Sequence, residues 1–163
     1  LKELGVTLPE AIGELRYQGR QEYGDGLGYS VTYANKLSSV SLYVYDRGQK
    51  GIPAGKAGRP VEDELKAAAD DLAVAEKKGA VKNLKRVDGE LPLPKAVLAK
   101  FAAAGYTFDI RGGGCKSYVL VTGYRGQFLK VRATQYVVDG KTNDAQFNEF
   151  LEAVARHIKE PAK

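Results

Sequence analysis

The chain has no tryptophan, no methionine, one cysteine and one histidine in 163 residues. With Cys115 alone, no internal disulfide can form, so stability rests on the core and the backbone ladder. A reactive thiol would need a neighbouring base or cation; Lys116 follows Cys115, but an ordinary thiol at a strand start is the simpler reading. With His157 alone, histidine-rich metal sites are excluded, and no serine or cysteine is tied to it by a pattern of nucleophilic catalysis. No apolar run approaches the ~20 residues that a membrane-crossing helix needs. The glycine-rich basic stretch 49–59 lacks the glycine-lysine-serine/threonine ending of a phosphate-binding loop, and it reads as a mobile connection. These absences leave no catalytic residue, no cofactor and no metal-ligand set to expect.

What is present is the composition of a globular domain, 44% hydrophobic and 28% charged with a net charge of +5, which points to one domain over 1–163. The charge is uneven. Between Arg111 and Val138 stand Arg111, Lys116, Arg125, Lys130 and Arg132 with no acidic residue, so this segment alone accounts for the net charge. An acidic partner is one inference; a solvated basic sheet edge that discourages aggregation is the other.

That segment contains the clearest pattern in the chain. Residues 117–122 and 128–133 alternate at a period of two around a glycine-bounded break, which predicts a hairpin. If the aliphatic sets face one core, Val121 pairs with Leu129 and Val119 with Val131. That requires an odd loop, Tyr124-Arg125-Gly126, with Gly126 left-handed. The other face then pairs Tyr118 with Arg132, Leu120 with Lys130 and Thr122 with Phe128. Tyr118, Arg125, Lys130 and Arg132 become candidate binding residues, against the plainer reading that Arg132 lies over the Tyr118 ring.

Elsewhere, 1–13 reads as an extended lead-in and Arg16–Tyr23 as an edge strand. Tyr29, Val31 and Tyr33 with Val40, Leu42 and Val44 predict a second hairpin around 35–38, whose Tyr43 and Tyr45 offer an aromatic platform. Pro60 opens a helix with an acidic first turn and the apolar positions Val61, Leu65, Ala68, Leu72 and Ala75. A short strand spans Val81–Val87, a loop 89–98, and a further strand at least Ala104–Arg111. Asn143 with Gln146 has capping-box spacing, and Phe147, Phe150, Leu151, Val154 and Ile158 mark a second helix. The expected fold is α+β: a predominantly antiparallel sheet of six or seven strands covered by two main helices.

This order of elements, with residues 26–33, 41–48 and 116–132, resembles a family of uncharacterised exported bacterial proteins whose layout is similar to PsbP-like α+β domains. The resemblance implies a periplasmic or secreted location, with a signal peptide presumed removed, and a non-enzymatic accessory or binding role toward a protein or acidic envelope component. Two alternatives stand beside it: a nucleic-acid binder that adds Tyr43 and Tyr45 to the same cations, and a small-ligand-binding protein or hydrolase. The oligomeric state is open.

Overall fold

A computed structural model describes residues 1, 4–24 and 26–159. Its strands are β1 (Ala11–Ile12), β2 (Leu15–Glu22), β3 (Tyr29–Ala34), β4 (Ser38–Tyr45), β5 (Lys82–Arg86), β6 (Ala102–Ile110), β7 (Gly113–Tyr124) and β8 (Gln127–Tyr136). Its helices are α1 (Arg59–Lys77), α2 (Lys95–Lys100) and α3 (Asp144–His157). The strands form one antiparallel sheet in the order β1-β2-β3-β4-β8-β7-β6-β5.

This corrects the expected six or seven strands and two helices: the described residues hold eight strands and three helices. The extra strand is β1, a two-residue pairing inside the 1–13 lead-in that is too short to show a period, and Glu10 O accepts from Tyr17 N at its start. The extra helix is α2, which begins within the segment read as the 89–98 loop; Pro94 precedes it and Phe101 ends it in an extended conformation. Strand β6 follows at once.

Both faces of the sheet are packed, each over a different half. On one face Phe147, Phe150, Leu151 and Val154 of α3, Val97 of α2, and Leu4 and Val6 cover Val31, Leu42, Leu120, Leu129 and Val131. On the other, Val61, Ala68 and Leu72 of α1 cover Val119, Val121, Phe128 and Phe108. Helix α1 packs on β5, β6 and β7. On that side the outward positions of β3 and β4 stay partly exposed: Thr32, Ala34, Ser39, Ser41, Tyr43 and Tyr45.

Helix ends follow the sequence signals. Pro60 lies in the first turn of α1, and Asn143 caps α3 by accepting from Gln146 N at 3.4 Å. At the other end of α3, the Lys100 ammonium donates to the carbonyls of Ala155 and Ile158, each at 2.6 Å, satisfying groups that a helix terminus leaves open.

The register of the central hairpin differs from the expected one. The loop has two residues, Arg125 and Gly126, with φ of 50° and 78°, and the paired positions are Tyr124 with Gln127, Val121 with Lys130, Leu120 with Val131, and Val119 with Arg132. Two positive-φ residues in a two-residue loop make a type I′ turn, whose twist suits a hairpin. The premise of a single aliphatic face fails because β7 is buried on both sides: Tyr118, Val119, Leu120 and Val121 are each less than 5% exposed.

The 49–59 loop is pinned. Ile52 is buried, and Gly55 and Gly123 exchange two backbone hydrogen bonds of 2.9 Å. A Cβ at position 123 would overlap the Pro53 carbonyl oxygen. Gly123→Ala should therefore lower stability by about 3 kcal/mol, a core-overpacking magnitude, with faster amide exchange at Gly55. A urea midpoint equal to wild type would show that the loop yields at no cost.

Candidate functional site

The register places Lys130 and Arg132 on the α1 side of the sheet, where neighbouring β4 supplies Tyr43 opposite Lys130 and Ser41 opposite Arg132. Four of the residues singled out from the sequence thus share one face: Tyr43, Tyr45, Lys130 and Arg132. The other two do not. Tyr118 lies on the opposite face, buried against Phe147 with ring centroids 5.9 Å apart, and burial, then Asp144, raises its phenol pKa. The expected Arg132–Tyr118 contact is therefore not made. Arg125 stands at the hairpin tip, 5.4 Å from the Tyr124 ring.

Lys130 Nζ lies 4.8 Å from the Tyr43 ring centroid and 5.3 Å from that of Tyr45. Ring faces attract a cation electrostatically, but they do not replace hydrogen bonds. Among the described residues this ammonium has no hydrogen bond and no ion pair. Desolvation lowers its pKa, with the Arg132 charge adding to the effect and Glu64 and Asp71 opposing it. Arg132 Nε is buried and, among the described residues, has no acceptor. Two cations are thus held on a half-open surface with donors unspent.

Tyr23 extends the platform. Its ring stacks on Tyr43 at 6.2 Å with a 23° interplanar angle, and its hydroxyl pairs with that of Ser30 at 2.8 Å. Tyr23, Leu27, Tyr43, Tyr45, Arg47 and Lys130 line an open cleft of about 310 Å³. Leu27 is exposed at its rim. Along the sheet from the cleft, Thr32 and Ser41 hydroxyls pair at 2.8 Å.

One residue sets the edge of this surface. Glu64 is 4% exposed, accepts the Tyr45 hydroxyl at 2.7 Å, and accepts from Arg47 through Nε and, at 3.2 Å, Nη2. Burial, followed by this hydrogen bond, drives the Tyr45 pKa far up, and the same carboxylate raises that of Arg47. Tyr45 is therefore a fixed neutral donor. The helix-dipole reading of the acidic first turn misses this second role. The signal was present: Glu64 falls on the stripe Val61, Ala68, Leu72 that the helix buries, where a carboxylate needs partners.

Cys115 is buried in the α1-side core, and desolvation, then Asp109, raises its pKa, the reverse of an activated thiol. His157 donates from Nδ1 to the Ala153 carbonyl at 2.7 Å.

Comparisons with protein-family models, curated proteins and solved structures give no match to the chain, so any function has to be argued from these side chains.

Replacing Glu64 by Ala should cost about 2–3 kcal/mol, because the Tyr45 hydroxyl and the Arg47 guanidinium lose their acceptor. Tyr45→Phe, which leaves the carboxylate with Arg47, should cost about 1 kcal/mol. A double-mutant cycle by denaturant titration should give a double mutant less destabilised than the sum; strict additivity would contradict the shared hub.

Proposed function

We propose that the protein is a non-enzymatic binding domain that holds an acidic partner, a protein or envelope component, on the uncovered half of its sheet, with Tyr43, Tyr45, Lys130 and Arg132 as contact residues. The observation that carries this reading is a pair of part-buried cations: Lys130 between two tyrosine rings, and Arg132 with a buried Nε that has no acceptor among the described residues. A protein that used these cations only for stability would pair them with carboxylates, as it pairs Arg47 with Glu64. Carboxylate or phosphate oxygens of a partner would supply the missing acceptors. The envelope setting rests on the resemblance of the hairpin stretches.

The Tyr23–Tyr43 stack supports a second reading, single-stranded nucleic acid, since bases stack on such rings while phosphates meet the cations. Salt dependence separates the two. Affinity capture from envelope and cytosolic extracts across a salt series should retain a specific protein or envelope component on wild type and not on Lys130→Glu/Arg132→Glu, at unchanged melting temperature. Equal capture by both would contradict the proposal, and nucleic acid released steeply by salt would favour the second reading.

Lys130→Met supplies a stability test. Because the folded-state pKa is depressed, the charged lysine opposes folding below that pKa, and the penalty fades as pH rises through it toward the ordinary lysine value. The variant should melt roughly 1–3 °C above wild type near neutral pH, with the gap closing as pH rises through that window. A variant that melts below wild type at neutral pH would make Lys130 a structural residue.

A further inference from the structure

Arg125, separated from the sheet face by the hairpin register, belongs to another cluster. The turn it occupies favours Asn-Gly; an arginine at φ 50° is held in a left-handed conformation that side chains other than Asn and Asp seldom adopt. Such an outlier invites a functional account. The side chain is placed from two sides. Its guanidinium lies beside the Tyr124 ring and over the backbone of Gly5, where a Cβ would overlap Nη1.

Around it opens a cleft of about 560 Å³ lined by Gly5, Val6, Thr7 and Tyr124 and by the basic side chains Arg125, Arg156, His157 and Lys159. No acidic side chain is among these lining residues. Arg125 and Arg156 have no hydrogen bond and no ion pair among the described residues. The end of α3 would ordinarily oppose an anion through its exposed carbonyls. Here the Lys100 ammonium already occupies those of Ala155 and Ile158, so the cleft keeps its positive character.

We propose that this cleft is a second binding site, distinct from the Tyr43–Lys130 face, which takes a small phosphate-class oxyanion. Two guanidinium forks and an ammonium match the charge and the three terminal oxygens of a phosphate dianion better than the two oxygens of a carboxylate. Arg125 supplies the pre-positioned fork, Arg156 and Lys159 the flanking charge.

The test is a titration of the protein with inorganic phosphate, with chloride and acetate at matched ionic strength as controls, followed through the backbone amide signals of Arg125, Gly126 and Arg156. Arg125→Asn is the informative variant, since it removes the cation while installing the preferred turn pair. Wild type should show a saturable phosphate response that neither control reproduces. Arg125→Asn should melt at or above the wild-type temperature yet bind phosphate at least about tenfold more weakly. Arg156→Gln, at an exposed helix end, should weaken binding without altering the turn, and Lys130→Glu/Arg132→Glu should bind phosphate as wild type does. A response shared equally with chloride, or undiminished in both Arg125→Asn and Arg156→Gln, would overturn the proposal.

Discussion

A β-strand shows alternate residues to opposite faces, so the register of β7 against β8 decides what this protein presents to its surroundings. The two-residue turn at Arg125-Gly126 sets Val121 opposite Lys130 and Val119 opposite Arg132. One residue more in that loop would put both cations on the face that α3 covers. There they would have to be buried among Leu42, Leu120 and Phe150, at the desolvation cost of an unpaired charge. With the observed register they emerge beside Tyr43 and Tyr45 at the boundary of α1.

That boundary is where the energetics divide. On the covered side of it, aliphatic and aromatic residues from α1, β6, β7 and β8 close a core. On the uncovered side, hydroxyls, rings and cations are spread over β3, β4 and β8. Glu64 joins the two: a carboxylate from the buried stripe of α1 that fixes Tyr45 and Arg47 at the edge of the open surface. Its negative charge is already shared by those two donors. Among the described residues neither Lys130 nor Arg132 on β8 has a carboxylate partner: Lys130 lies between the two tyrosine rings and Arg132 Nε has no acceptor, which are the donors that the proposed acidic partner would engage.

Much of this was legible in the sequence, and the failures have physical reasons. The β3–β4 hairpin shows strict alternation because one of its faces is buried and the other is half open, so its period of two survives in the residue types. Pro60 and the Asn143–Gln146 spacing mark the starts of α1 and α3 because capping is local chemistry. The β7–β8 register could not be read the same way. A strand buried on both sides is apolar at successive positions, and alternation then says nothing about which residues share a face. Tyr118 was assigned to the cationic surface for that reason alone. Strand β1 and helix α2 are too short to carry a period. Tyr23 joins the site through tertiary stacking at the end of a polar strand, which no local pattern announces. Arg47 could have been sought once Glu64 was placed on the buried stripe, since a buried carboxylate demands a donor.

The most direct test of this account is an NMR measurement of the Lys130 side chain. In the observed register its ε-methylene protons lie among two tyrosine rings, so their signals should be displaced upfield by ring currents and should show nuclear Overhauser contacts to both Tyr43 and Tyr45. The cross-strand backbone contacts of Lys130 should run to Val121. Unshifted ε-methylene signals together with backbone contacts from Lys130 to Leu120 would place the hairpin in the other register and dismantle the cation–tyrosine surface.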